Sequence, residues 1–334
     1  MNPAQPISRR RLIKTLFCSS VAMNLNLTTS AGAAVKSKPE SLDLLAFGDF
    51  GSGDEAQASV ARGMTRYADA LGKATQGLLL LGDNFYGPMP GGVKSPRWQS
   101  GFSNAYPSKT FPGPCWAILG NHDYHDTHGN ELVQLGYAAS LDRKTRWSMP
   151  AKYYRVDLPA DKPQITFLMI DTNWPSINAG LHKDVPCWMS EEEKSAQQIW
   201  LEKQLASPRA PFTIVVGHHP VYSDGKHGDT PHLVRELAPL LEKAKVHLYL
   251  CGHDHDLQHL ELNGLKTSFV ISGGGGAGLY AHDKVRPNST VIETYGFSHL
   301  SLSNNRLWVR HIDPNGKMVH AFSKGVNHDW KSEV

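Results

Sequence analysis

The chain has 334 residues, 40% apolar and 19% charged, a balance that excludes a disordered or collagen-like polymer and fits one large folded domain or two small ones. Its formal charge of +3 resides at the N-terminus. Arg9, Arg10, Arg11 and Lys14 all precede residue 34, where no acid occurs, so the remainder is close to neutral and nucleic-acid binding through bulk charge is excluded.

The first element in chain order is an address. Ser8-Arg9-Arg10-Arg11-Leu12-Ile13-Lys14 resembles the twin-arginine export signal, and a modestly apolar stretch and the small residues Ala31-Gly32-Ala33 follow it. The expected organisation is a signal peptide over 1–33, read by the twin-arginine export machinery, and a single domain over 34–334 that works in the periplasm or outside the cell. Phe17 stands where a lipoprotein needs a small residue before Cys18. No later stretch approaches the roughly 18 apolar residues that span a bilayer, so no membrane part is expected in the mature form. Without Cys18, Cys115, Cys187 and Cys251 allow at most one intramolecular disulfide, and with no CxxC pair a thiolate zinc site is not expected.

Beyond the address, short apolar runs stop abruptly at glycine or polar residues: Leu42 to Phe47, Gly77 to Leu81, Trp116 to Leu119, Ile165 to Ile170, Phe212 to Val216 and His247 to Cys251. Runs this short and continuous read as strands buried on both faces. Helical patterns lie between several of them, over about 54–74, 130–141, 190–206 and 231–244, the third opened by a Ser190/Glu193 capping box. Strands alternating with helices predict an α/β protein with a largely parallel sheet. Trp174 to Trp188, rich in Pro, Asn and Gly, reads as a loop able to overhang a site. After residue 256 hairpins take over: Leu257 to Leu262 with Thr267 to Ile271, and Leu307 to Ile312 with Met318 to Phe322. These predict a second, antiparallel portion of sheet. Gly273 to Gly276 reads as a tight bend, because no GxxxxGK[ST] accompanies it.

Five of the apolar runs end in glycine followed by ligand-type residues: Gly48-Asp49-Phe50-Gly51, Gly82-Asp83-Asn84-Phe85-Tyr86, Gly120-Asn121-His122-Asp123, Gly217-His218 and Gly252-His253-Asp254-His255. Ligands of open α/β sheets bind beyond the carboxyl ends of strands, so the five turns are expected to converge. Asp49, Asp83, Tyr86, Asn121, His218, His253 and His255 make seven donors, more than one ion needs. With one aspartate bridging they divide into four per ion, the arrangement of a two-metal hydrolase. In an extended segment His253 and His255 share a face about 6–7 Å apart at the backbone, enough to serve neighbouring ions.

These five blocks, in this order, resemble those of the purple acid phosphatases, most closely the small tartrate-resistant type within the calcineurin-like metallophosphoesterases. The likeness spans 44 to about 256. It implies a two-sheet sandwich flanked by helices, and a ferric ion paired with a divalent one, iron, zinc or manganese. Carried over, Asp49, Tyr86 and His255 would hold the ferric ion, Asn121, His218 and His253 the divalent ion, and Asp83 would bridge. Gly51 stands where other metallophosphoesterases generally carry a histidine and cannot coordinate; Tyr86 supplies the missing ligand, and a phenolate is a hard donor suited to ferric iron. His122 matches the family's substrate-contacting histidine. His227 matches a second active-site histidine of the small type, so Asn121, His122 and His227 would line the substrate. His125, His128, His219 and His259 match nothing and read as polar loop residues or supports behind the ligands.

The resemblance implies an exported acid phosphatase that hydrolyses small phosphate monoesters by attack of a metal-bound hydroxide on phosphorus, with His122 orienting the phosphate and His227 protonating the leaving oxygen. Two alternatives remain: a phosphodiesterase or nucleotidase on the same centre, and a secreted metal- or phosphate-binding protein without turnover. The two histidines weigh against the latter, since binding alone needs no proton donor.

Overall fold

The computed structural model describes residues 41–126, 129–140, 145–178, 188–282, 285–303 and 305–333. The expected signal peptide, His128, Cys187 and most of the Trp174–Trp188 segment lie outside the described residues. In chain order the strands are β1 (Leu42–Phe47), β2 (Gly77–Leu80), β3 (Cys115–Ala117), β4 (Trp147–Ser148), β5 (Tyr154–Leu158), β6 (Ile165–Met169), β7 (Phe212–Val216), β8 (Leu248–Cys251), β9 (Leu257–Leu260), β10 (Ser268–Ser272), β11 (Ser289–Ile292), β12 (Phe297–Ser303), β13 (Arg306–Ile312), β14 (Met318–Gly325) and β15 (Trp330–Ser332). The helices are α1 (Glu55–Leu71), α2 (His122–His125), α3 (Asn130–Ala138), α4 (Pro175–Asn178), α5 (Glu191–Ala206), α6 (Pro231–Glu236) and α7 (Ala238–Lys243).

The strands form two mixed sheets, ordered β15-β14-β13-β12-β1-β2-β3-β4 and β11-β9-β10-β8-β7-β6-β5. Neighbours from β1 to β4 are parallel, as are β6, β7, β8 and β10. The expected antiparallel region is real but is not one portion. The hairpin β9/β10 extends the second sheet, and β12 to β15 extend the first through the antiparallel β1/β12 pair.

Each apolar run is buried on both faces because its alternate residues meet different partners. Phe167, Met169, Ile214, Val216, Leu248 and Leu250 join the core that includes β1 and β2, while Leu168, Ile170, Val215, Tyr249 and Cys251 pack with Leu201 and Leu205 of α5 and Leu233 and Leu241 of α6 and α7. Helix α1 is capped by Asp54, whose carboxylate accepts the Ala56 and Gln57 N–H groups, and ends at Gly72 with φ 64°. The Ser190/Glu193 capping box opens α5. The single helix expected over 231–244 is two, parted at Leu237, because Pro239 has no N–H to continue the ladder. Cys115 and Cys251 are both buried and free. Among the described residues no helix is long and apolar enough to cross a membrane.

Candidate metal centre

All five glycine turns leave the carboxyl ends of parallel strands, three from the first sheet (β1, β2, β3) and two from the second (β7, β8). The turns are tight enough that Asp49, Asp83 and His253 take left-handed φ values of 59°, 50° and 73°, a conformation uncommon in non-glycine residues and concentrated at functional sites. His253 and His255 therefore do not alternate along an extended strand as the sequence predicts; a left-handed residue aims the first of them. Close approach explains two of the glycines. A Cβ at Gly120 would lie 2.2 Å from Asp83 Oδ1, and one at Gly252 would lie 2.4 Å from Asp49 Oδ2.

Each aspartate is held by one oxygen. Asp49 Oδ2 accepts the His253 N–H at 2.9 Å, and Asp83 Oδ1 accepts the His122 N–H at 2.9 Å. The other oxygens face the remaining donors. Asp49 Oδ1 is buried without a hydrogen-bond partner, 3.6 Å from His255 Nε2 and 4.0 Å from His218 Nε2. Asp83 Oδ2 stands between two groups, 3.3 Å from the Tyr86 hydroxyl on one side and 3.5 Å from His218 Nε2 on the other. Tyr86 Oη lies 3.3 Å from His255 Nε2, and ligand atoms of Asp49, Asp83 and His255 gather within 4.8 Å of one another. On the far side Asn121 Oδ1 is 3.0 Å from both His218 Nε2 and His253 Nδ1, which are 3.3 Å apart. All seven sequence-derived donors thus meet in one place, as two triads with Asp83 between them.

The surroundings fix which atoms point inward. His218 Nδ1–H donates to Leu81 O at 2.8 Å and His255 Nδ1–H to Gly278 O at 2.6 Å, leaving each Nε2 directed toward the cluster. Asn121 Nδ2–H donates to His125 Nε2 at 3.0 Å, which turns Oδ1 to the same side. Burial, helped by neighbouring imidazoles, holds His253 well below the usual range, and burial lowers His255, so both rings are neutral, the state that ligates metal. Burial disfavours a charged His218 as well, yet the Asp83 and Asp49 carboxylates outweigh it and push that ring up to about 10. Burial raises the Asp49 carboxyl, opposed by His218 and reinforced by Asp83. Burial, Asp83 and Asp49 together keep the Tyr86 phenol well above its ordinary value. A carboxylate oxygen without a hydrogen-bond partner, converging oxygen and imidazole nitrogen atoms, and a field that draws positive charge fit two cations held by oxygen and imidazole donors, with no thiolate.

His122 and His227 flank this cluster. The His122 ring packs 4.5 Å from that of Tyr86 and its Nδ1 meets Asp126 Oδ1 at 2.8 Å; the His227 ring lies 4.2 Å from that of His253 and its Nδ1 meets Asp254 Oδ1 at 2.7 Å. His219, buried, bonds Thr172 Oγ1 at 2.8 Å, and His259 lies on β9 within the sheet rather than in a loop. Sequence reasoning missed Tyr280, stacked 4.1 Å from the His255 ring, and Asp123, whose buried carboxylate ties the Gly120, Asn84 and Phe85 N–H groups together. Burial and Asp83 push the Asp123 carboxyl up to about 6. Nothing in the sequence marks Tyr280, which is separated from His255 by the β9/β10 hairpin and the glycine-rich bend after it; Asp123 follows Asn121 and His122 in the third glycine turn, where its spacing alone assigns it no role. The Gly273 to Gly276 bend packs beneath the centre, where a Cβ at Gly273 would meet Asp254 O at 2.0 Å.

Residues 43–257 match the calcineurin-like phosphoesterase family, and the chain belongs to it. Within that class it is 32% identical over 298 residues to the tartrate-resistant acid phosphatase type 5 of Oryctolagus cuniculus, covering 83% of this chain and 89% of the relative. It is 30% identical to purple acid phosphatase 7 of Arabidopsis thaliana, covering 86% and 88%. Among solved structures, GAP50, the anchor in the inner membrane complex of Plasmodium, shares the fold with a TM-score of 0.71 at 24% identity, over 84% of this chain and 87% of that one. The two acid phosphatases are hydrolases, their family implies a dinuclear metal centre, and the cluster of Asp49, Asp83 and His255 is a candidate place for it.

Proposed function

We propose that the protein is an exported acid phosphatase that hydrolyses phosphate monoesters at a dinuclear centre of Asp49, Tyr86 and His255 on one side, Asn121, His218 and His253 on the other, with Asp83 bridging. One observation carries the reading: both aspartates are clamped by a backbone N–H at one oxygen and turn the other inward, and Asp49 Oδ1 has no hydrogen-bond partner among the described residues. Ions held by these residues would supply Lewis acidity, lowering the pKa of water and neutralising charge on phosphoryl oxygens. The tyrosine among the donors favours ferric iron on its side, paired with iron, zinc or manganese.

The chain's own residues do the rest. Asn121 and His122 orient the phosphate, and His227 gives a proton to the departing oxygen. Both histidines commit Nδ1 to a carboxylate, and their side chains are 31% and 37% exposed, so Nε2 is the nitrogen left for a substrate. A complete donor set flanked by two accessible imidazoles favours turnover over binding alone. Export rests on the Arg9-Arg10 motif, and replacing both by lysine should retain the precursor inside the cell.

Rates on a monoester and a diester, measured beside metal analysis of the purified protein, test the reading. Preferred hydrolysis of the monoester with two metal ions per chain is expected. Preference for the diester would assign a phosphodiesterase, and turnover of neither with both ions present would leave a binding protein.

A further inference from the structure

Asp254 sits in sequence between His253 and His255, yet its hydrogen bonds run to the segment Ser223 to Gly228. Oδ1 accepts both the backbone N–H of His227 at 3.0 Å and its ring Nδ1–H at 2.7 Å, and Oδ2 accepts the Ser223 hydroxyl. The carboxylate is completely buried, and Gly225 lies against it so closely that a Cβ there would be 2.8 Å from its Cγ. The segment does not depend on this charge for anchorage. Gln258 Oε1 accepts the Asp224 N–H at 2.9 Å, and Arg286 bonds Asp224 Oδ1 through Nε at 2.7 Å, Asp224 Oδ2 through its backbone N–H at 2.7 Å, and Ser223 O at 2.8 Å. Burying a carboxylate is costly unless its charge is used. Of the three groups that bond it, the His227 ring alone is a side chain placed to reach a substrate.

We infer that Asp254 is the positioning residue for His227: it holds the ring by Nδ1–H so that Nε2 is the nitrogen presented to the leaving group. The inference deepens, and rests on, the monoester-hydrolase reading. In the step it serves, a bond forms from the attacking hydroxide oxygen to phosphorus while the bond from phosphorus to the leaving oxygen breaks, the electron pair of the broken bond stays on the leaving oxygen, and the proton on His227 Nε2 moves there. The imidazole is left neutral with its remaining proton on Nδ1, and Asp254 is a carboxylate throughout.

Asp254→Asn, His227→Ala, the double variant and Ser223→Ala would each be assayed as metal-loaded protein on an alkyl phosphate, whose leaving group needs a proton, and on an activated aryl phosphate, whose leaving group does not. Asp254→Asn should slow the alkyl ester roughly 10- to 100-fold, change the aryl ester little and keep both metal ions. The double variant should be no slower than His227→Ala, because Asp254 acts through that ring. Ser223→Ala, which removes another contact to the same carboxylate, should leave both rates near wild type. Equal losses on the two esters, a double variant slower than His227→Ala, or release of metal by Asp254→Asn would overturn the inference and make Asp254 a support of the loop or of the ligands. A wild-type protein inactive on both esters would instead defeat the monoester reading, and this inference with it.

Discussion

Gly51 allows the segment that carries Tyr86 to lie directly on the Asp49 turn. A Cβ at 51 would come within 2.4 Å of the Asn84 carbonyl and Phe85 Cα, and Gly51 O accepts the Tyr86 N–H at 3.1 Å. The backbone of one ligand segment thus occupies the place a side chain at 51 would need, which is why a donor at 86 excludes one at 51. Since burial and two carboxylates hold the Tyr86 phenol well above its ordinary range, only a bound cation makes it a phenolate. Ferric loading should therefore produce a visible charge-transfer band, and Tyr86→Phe should abolish it while the far-ultraviolet circular dichroism is unchanged. The same band in that variant would assign the colour to another group. The seven donors that meet in the fold were legible in the sequence because each lies within four residues after a glycine that ends a buried run. Asp126 and Tyr280 were not, because their roles depend on which loops fold against the ligands, and residue spacing does not record that.

The parallel strands were legible as elements because burial on both faces writes an uninterrupted apolar run, and β1 and β7 fall where the pattern puts them. The edge strands β5 and β11 carry only partial burial and no such run. Which sheet each C-terminal hairpin joins was not legible either, since hairpin patterns specify local pairing and not the neighbour beyond. Where β9, β13 and β14 face one another, that topology buries three histidines: His259 Nδ1 meets His320 Nε2 at 3.0 Å, and His311 Nε2 bonds Gln258 O at 3.1 Å. Glu261 and Lys324 border the group. Burial, with neighbouring imidazoles adding to it, lowers His311 to about 3 and His320 to about 4. Both are neutral when folded, against about 6.5 in the unfolded chain. Their contribution to stability is complete above about 6.5 and is lost as pH falls toward 4. Thermal midpoints should decline across that window, and the decline should be shallower in His320→Gln; an identical slope would show that these rings are not what titrates.

At the scale of the molecule, two sheets contribute unequal shares of one centre, so the centre exists only when both have folded and their carboxyl ends face each other. Binding that requires the folded state stabilises it, by about 2.7 kcal/mol when metal is present at a hundred times its dissociation constant. The central claim is that the seven donors hold two ions which act together on a phosphate monoester. The most direct measurement is monoester hydrolysis during stepwise reloading of the metal-free protein, with bound metal counted at each step. Activity is predicted to stay low through the first equivalent and to rise with the second, and Asp83→Ala should lose activity along with metal from both positions. Full activity at one equivalent, or none with two firmly bound, would contradict the account.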